Sequence, residues 1–125
     1  MEQPPPISNA EWIAMKVIWA GSSATAAEVV EALESETSWK PKTIMTLLNR
    51  LAKKGVLRFE KEGRAYRYFP VVGEAETIRA ERRSFVERVY GGALTPMLAS
   101  FLEEAELSQE EIDDLKRLLD RRRKR

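Results

Sequence analysis

The chain has 125 residues, of which 43% are hydrophobic and 33% are charged, and its formal net charge is +1. It contains no Cys and no His, which excludes disulfide bonds, thiolate metal sites and histidine acid–base chemistry and makes catalysis less expected. Because the sequence also offers no nucleophile–base pair and no ligand cluster, we expect neither an enzyme nor a cofactor. No stretch approaches the roughly 18 apolar residues of a membrane span, and the first residues lack a signal-peptide pattern, so we expect a cytoplasmic protein without membrane contact.

Two capping patterns predict the first two helices. The spacing S/T-x-x-E begins at Ser8 and again at Thr25, and it is typical of helix N-termini. We therefore predict helices over residues 9–20 and 26–35, with the first ended by Gly21. The free amides and the positive dipole end beside Thr25 are suited to holding a phosphate.

A third helix is predicted between Pro41 and Gly55. Proline suits the first helical position, and glycine is the usual left-handed stop. Apolar residues recur at i, i+3, i+4 and i+7 from Ile44, which defines one core stripe. The opposite face must then contain the polar residues Lys42, Thr43, Thr46, Asn49, Arg50 and Lys53.

A β-hairpin is predicted directly after the third helix. Residues 56–60 and 65–70 are rich in β-branched and aromatic side chains, as strands are. Gly63 lies between them and supplies the conformational freedom that a tight hairpin turn requires. Lys61 and Arg64 are predicted to lie at the tip of this hairpin, where they would contact a nucleic-acid backbone or minor groove.

Positive charge is concentrated in the third helix and the hairpin. Residues 38–70 contain nine Lys or Arg and two Glu, a local excess of seven positive charges. Three helices followed by a basic hairpin are typical of a winged helix-turn-helix, and a DNA major groove admits one α-helix. We predict that Thr43, Thr46 and Arg50 approach base edges. Phosphates are predicted to be contacted mainly by Lys40, Lys42, Asn49 and Lys53.

The C-terminal part of the chain has charged helices with apolar seams. These helices are too short and too charged to bury their seams within one chain, so a partner surface is predicted. A symmetric homodimer is the commonest solution, and it would place two recognition helices on an inverted repeat of double-stranded DNA. The candidate dimerisation residues are Phe85, Val89, Leu94, Leu98, Phe101, Leu115 and Leu118.

The predicted fold class is mainly α with a small β hairpin. A winged helix-turn-helix N-terminal domain is predicted over residues 7–72 and a helical C-terminal dimerisation region over residues 74–122. An alternative function is a winged-helix module for protein–protein interaction, which binds a partner through its C-terminal helices and the Trp12 face. The molecular mass of the protein without a partner discriminates between the two functions, because the predicted DNA-binding protein is already a dimer by itself.

Five segments spread over nearly the whole chain resemble one known family. They are I-S-N-A-E-W-I-A-M-K-V-I-W at 7–19, T-A-A-E-V-V at 25–30, W-K-P-K-T-I-M-T-L-L-N-R-L-A-K-K-G at 39–55, G-R-A-Y-R-Y at 63–68 and L-S-Q-E-E-I-D-D-L at 107–115. Together they resemble the penicillinase-repressor (BlaI/MecI) family. The resemblance implies a homodimeric transcriptional repressor of β-lactam resistance genes or of other gene sets. It also implies an N-terminal winged helix and a C-terminal helical dimerisation region.

The resemblance also bears on how the protein is regulated. Many members of the family are inactivated when a sensor-activated protease cuts the dimerisation region between an Asn and a Phe. The matching pair here is Ser100–Phe101, which keeps the Phe and lacks the Asn. Related copper-responsive repressors use a C-terminal cysteine motif, which a chain without Cys cannot form. Two forms of regulation remain open: proteolysis within residues 93–102, or a different control over a different gene set.

Overall fold

The computed structural model describes residues 4–124, which form a mainly helical chain with one small sheet. It divides into two compact units, one ending at Ser84 and one beginning at Phe85. This boundary falls within a helix, later than the predicted start of the helical region at residue 74. The elements are α1 (Asn9–Gly21), β1 (Ala24–Thr25), α2 (Ala26–Leu33), α3 (Pro41–Lys53), β2 (Leu57–Glu62), β3 (Ala65–Pro70), α4 (Glu74–Tyr90), α5 (Leu94–Glu104) and α6 (Gln109–Arg123).

Capping boxes begin three of the helices, as their spacing predicts. Ser8, Thr25 and Ser108 each accept a hydrogen bond of 3.1 Å from the amide three residues later. In each case the glutamate at that third position accepts a hydrogen bond from the amide of the cap residue. The predicted starts of α1 and α2 are therefore confirmed, and two otherwise unpaired helix-end amides are satisfied at each start.

The ends of α1 and α2 differ from the prediction by one or two residues. Gly21 remains within α1, and the left-handed residue is Ser22, with φ of 67°. Helix α2 ends at Leu33 rather than at residue 35. The Leu33 carbonyl accepts both the amide of Thr37, at 2.9 Å, and its hydroxyl, at 3.0 Å, and the chain turns there.

The end of α3 is a left-handed stop at Gly55, as predicted. Gly55 has φ of 79°, and its amide donates to the Ala52 carbonyl at 3.1 Å. The next amide, that of Val56, donates to the Leu51 carbonyl at 3.0 Å, which completes a Schellman motif. Val56 is fully buried, so this motif directs the chain from α3 into the sheet.

The sheet has three strands in the order β1-β3-β2, where the sequence predicted only a two-stranded hairpin. The missed strand, β1, has two residues and is too short for a pattern of alternation. It pairs with β3 through Ala24 opposite Tyr68. Strand β2 extends to Glu62, so that Gly63 and Arg64 alone form the turn. Gly63 has φ of 63°, as the first turn residue of a type II′ hairpin requires.

The core of the first unit lies between the first three helices and the sheet. The stripe predicted on α3 is confirmed, because its four members are at most 4% exposed. Leu57 and Tyr68 extend the same core onto one face of the hairpin. The buried apolar residues are Ala14, Met15, Ile18, Ala24, Val29, Leu33, Ile44, Leu47, Leu48, Leu51, Val56, Leu57 and Tyr68.

A buried ion pair joins the start of α1 to the end of α3. Glu11 is 1% exposed, and its Oε1 accepts from Lys54 Nζ at 2.6 Å and from the Ser8 amide at 2.7 Å. Burial alone would raise the pKa of the Glu11 carboxyl, but the hydrogen bond and charge of Lys54, together with Ser8, hold this pKa below its ordinary value of 4.5. The pair therefore stabilises the folded state above that pH.

We expect Lys54→Met to lower the free energy of unfolding by about 1–3 kcal/mol at neutral pH, because it leaves a carboxylate buried without its cation. The partial exposure of Lys54 moderates the loss. The folded-state pKa of Glu11 is depressed, so the stabilisation is lost as pH falls through that pKa and the difference from wild type shrinks in acid. Urea unfolding across this pH range measures both effects.

The matched control for this prediction is Lys16→Met. Lys16 pairs with Glu74 at 2.5 Å, but both side chains are exposed, by 52% and 39%. A pair of that kind contributes less than about 0.5 kcal/mol. Equal losses for the two variants would contradict a special role for the buried pair.

The second unit has no buried residue between Phe85 and Lys124, the part of it that the structure describes. Neither α5 nor α6, both fully described, contains a buried residue. Within this unit Phe85 stacks on Phe101 with ring centroids 6.3 Å apart, yet Phe101 remains 51% exposed. Its other exposed apolar residues are Val89, Leu94, Leu98, Leu102, Leu115, Leu118 and Leu119.

None of the helices within residues 4–124 could span a membrane, because every one of them is too short or too polar to cross a bilayer.

Candidate nucleic-acid interface

The outer face of α3 is polar and exposed. All six residues that the helix period assigns to it, Lys42, Thr43, Thr46, Asn49, Arg50 and Lys53, are exposed. Met45 is the apolar residue beside them, at 37% exposure. The Thr46 hydroxyl donates to the Lys42 carbonyl at 3.1 Å, which orients its oxygen and leaves that oxygen able to accept a further hydrogen bond.

The cations of residues 38–70 fall into two groups. Lys54, Arg58 and Arg67 each form an ion pair with a glutamate. The other six form no ion pair with any residue that the structure describes, and all are exposed. These unpaired cations are Lys40, Lys42, Arg50, Lys53, Lys61 and Arg64.

The hairpin turn and α3 therefore present unpaired cations, while Glu62, the carboxylate next to the turn, is already paired with Arg67. Arg64 lies in the two-residue turn, and Lys61 lies on β2 opposite Tyr66, next to that turn. Lys40 is the residue before α3, where it serves as N-cap without a side-chain hydrogen bond. An anionic polymer is the natural partner of such a surface, because each contact releases condensed counterions.

Arg67 joins the hairpin to the start of α2. Its Nε donates to Glu62 at 2.7 Å, and its Nη1 donates to Glu28 and to Ser23 Oγ, each at 3.2 Å. Glu62 is the main cause of the raised pKa of Arg67. The Thr25 amide is the main cause of the lowered pKa of Glu28. Sequence reasoning missed this network, because its members are far apart along the chain.

Thr25, the candidate phosphate ligand at the start of α2, is engaged in the capping box. Its hydroxyl accepts from the Glu28 amide and its amide donates to the Glu28 carboxylate. By helix geometry the amides of Ala26 and Ala27 have no acceptor within the helix. A phosphate at this end would use those two amides and would lie beside a carboxylate.

The part of the chain that the structure describes contains no candidate metal-binding site. No group of three or more His, Cys, Asp or Glu residues converges there to hold an ion.

Comparison with known proteins identifies the family. The family model described as penicillinase repressor matches residues 7–121. The penicillinase repressor of Bacillus licheniformis is 44% identical over 125 residues, which cover 100% of this chain and 98% of that protein. The methicillin resistance regulatory protein MecI of Staphylococcus aureus (strain N315) is 34% identical over 116 residues, with 93% and 94% covered.

Two solved structures of BlaI resemble the first unit. The solution structure of the DNA binding domain of the repressor BlaI is 47% identical, with a TM-score of 0.55, and the match covers 61% of this chain and 93% of that one. The monomeric form of Bacillus licheniformis BlaI in complex with the blaP half-operator matches equally at 47% identity, with a TM-score of 0.54. The resemblance found in the sequence is thereby confirmed: the chain belongs to the penicillinase-repressor family, a family of transcriptional repressors and not of enzymes.

Proposed function

We propose that this protein is a DNA-binding transcriptional repressor that acts as a homodimer on an inverted-repeat operator. The observation that carries the proposal is the exposed, acid-free face of α3 together with the unpaired cations of the hairpin tip. Thr43, Thr46 and Arg50 contact base edges in the major groove. The phosphate contacts come from Lys40, Lys42, Asn49, Lys53, Lys61 and Arg64, with the amides beside Thr25 as a further phosphate site.

The solved relatives support the DNA-binding part of this proposal. The BlaI structure in complex with a half-operator is 47% identical to this chain over the winged helix. The relatives named penicillinase repressor and methicillin resistance regulatory protein point to an operator at β-lactam resistance genes, although another gene set remains compatible with the same site. A repressor of chromosomal or plasmid genes of this kind acts in the cytoplasm.

Homodimerisation is supported by the second unit. Its apolar seam is exposed in a single chain, and a second copy supplies a matching apolar surface through two-fold symmetry. The seam is formed by Phe85, Val89, Leu94, Leu98, Phe101, Leu115 and Leu118.

Cleavage by a sensor-activated protease would act on this seam. The bond between Ser100 and Phe101 lies within α5, next to the seam residue Phe101 and between the exposed residues Leu98 and Leu102. Cutting there would separate part of the seam and weaken the dimer. Because the Asn of the family's cut site is absent, control by another signal is the alternative within this proposal.

Salt dependence tests the phosphate contacts. We expect Lys53→Gln to weaken binding to every duplex and to reduce the slope of log K against log salt by about 0.9, because one phosphate contact is lost. Fluorescence anisotropy over a salt series measures this slope. Lys16→Gln is the control, since Lys16 is exposed but paired with Glu74. An unchanged slope for Lys53→Gln would remove this residue from the phosphate contacts.

A protein-interaction module is the second candidate function. It is favoured by a shallow apolar groove between α1 and α2, which includes Ile13, Val17 and Ala20, with Ile13 38% exposed. Trp12 packs edge to face on Trp19, 5.7 Å between ring centroids, and is half-buried, so it offers little free surface. A monomeric protein that gains mass only with a partner would favour this function over the repressor.

A further inference from the structure

The hairpin has an exposed aromatic pair on one of its two faces. In the register of β2 and β3, Phe59 lies opposite Tyr68 and Lys61 lies opposite Tyr66. Because side chains alternate along a strand, these four residues share one face. Phe59 is 53% exposed and Tyr66 is 47% exposed, and their rings meet edge to face with centroids 5.3 Å apart. The pair leaves about half of each ring open to a partner.

This aromatic face is the one that packs on the helices. Leu57 and Tyr68, on the same face nearer the base of the hairpin, are buried in one cluster with Ile44 and Leu48 of α3. Toward the hairpin tip the same face extends beyond the core, so its side chains are exposed there. The aromatic pair therefore lies on the side of the hairpin that packs on the helices, α3 among them.

The opposite face of the hairpin has balanced charges that are already paired. Arg58 forms an ion pair with Glu60 at 2.8 Å, and its guanidinium lies 4.3 Å from the Phe69 ring centroid. Arg67 forms an ion pair with Glu62 at 2.7 Å. Both carboxylates of the hairpin, which belong to β2, thus project from this opposite face and each is paired with an arginine. The aromatic face contains no carboxylate, and its Lys61 has no ion pair with a described residue.

We propose that Phe59 and Tyr66 pack against deoxyribose rings of the duplex that α3 binds, with the Tyr66 hydroxyl donating to an adjacent phosphate. The charge of the two faces favours this partner, because the opposite face has no net charge, whereas the aromatic face has the unpaired cation Lys61 and no carboxylate. Deoxyribose offers apolar C–H groups to the exposed ring edges, and a tyrosine joins an apolar body to a polar tip. The inference rests on the proposed function and adds a non-ionic contact to it.

An exposed aromatic pair across two strands also stabilises a hairpin by itself. The test must therefore separate DNA contact from hairpin stability. Tyr66→Phe removes only the hydroxyl and keeps the ring pair. The double variant Phe59→Thr/Tyr66→Thr removes the rings but retains residues that favour strands.

Hydroxyl-radical footprinting is the direct measurement, because it reports the accessibility of each deoxyribose. The probe is the duplex that the full-length wild type recovers from a random-sequence pool. We expect the double variant to lose sugar protection beside the major-groove segment, to retain protection at that segment, and to bind about tenfold more weakly. Its salt slope should be unchanged, because no charge is lost. Tyr66→Phe should bind roughly threefold more weakly at an unchanged unfolding midpoint.

Val71→Thr is the matched control, since Val71 is 55% exposed, lies outside the hairpin and is nearly isosteric with Thr. It should have the wild-type footprint and affinity. If the double variant gave the wild-type footprint, this inference would be overturned and the proposed function would stand. A protein would then be the better partner for the aromatic pair. If the double variant fails to fold, unaltered affinity of Tyr66→Phe overturns it. Failure of the wild type to prefer any duplex would instead overturn the proposed function.

Discussion

The double variant Leu98→Glu/Leu118→Glu is expected to be monomeric and to bind an inverted-repeat duplex roughly 100-fold or more weakly than wild type. Leu98 and Leu118 are 42% and 51% exposed in the single chain, so the change removes little packing within one copy. In a dimer, however, the four introduced carboxylates would be buried without partners, and each such burial costs several kcal/mol. Sedimentation equilibrium measures the mass, and anisotropy measures the affinity.

The loss of affinity follows from the geometry of a two-fold complex. A dimer binds both half-sites at once, and the second half-site is bound at the high effective concentration set by the first. The monomeric variant retains the winged helix. Its affinity for a single half-site should therefore equal the weak affinity of wild type for the same half-site. The control Gln109→Glu adds one carboxylate, half the charge of the double variant, at an exposed polar position of α6 and should remain dimeric. A dimeric Leu98→Glu/Leu118→Glu protein would contradict the placement of the interface.

The variant Arg50→Ala is expected to weaken binding to the preferred duplex by about 10- to 100-fold and to relax the preference at one base pair of each half-site. Arg50 is exposed on α3 and has no ion pair with any residue in the described part of the chain. A guanidinium that donates two hydrogen bonds to one guanine contributes about 1–3 kcal/mol of discrimination. Selection from a random pool, followed by competition binding, separates affinity from preference.

The control for Arg50→Ala is Arg58→Ala, which removes the same charge. Arg58 lies on the face of the hairpin opposite to the Phe59–Tyr66 pair. There it forms an ion pair with Glu60 and its guanidinium covers the Phe69 ring. Its loss should leave the base preference unchanged. If both variants lowered affinity equally for all duplexes, Arg50 would be a phosphate contact and would not determine sequence preference.

The helices and the hairpin could be predicted because local rules determine them. Capping boxes at Ser8, Thr25 and Ser108, and the glycine stop after α3, depend only on residues a few positions apart. The phase of the α3 stripe then determined which residues face away from the core. Helix ends without such a signal, as at Leu33, were placed less accurately.

The long-range contacts could not be predicted in this way. Glu11 meets Lys54 across 43 positions of sequence, and Arg67 meets Glu28 across 39. In the sequence alone Lys54, Arg58 and Arg67 are indistinguishable from the cations that remain unpaired. Only the folded chain shows that these three are neutralised, and the same folding brings the two-residue strand β1 against β3.

The most direct test of the central claim is the sequence and stoichiometry of the duplex that the wild-type protein selects from a random pool. The account predicts an inverted repeat whose half-sites are centred one helical turn or a multiple of it apart, bound by two copies of the chain with a steep salt dependence. Equal affinity for all duplexes, or binding of one copy to an unrepeated site, would contradict it.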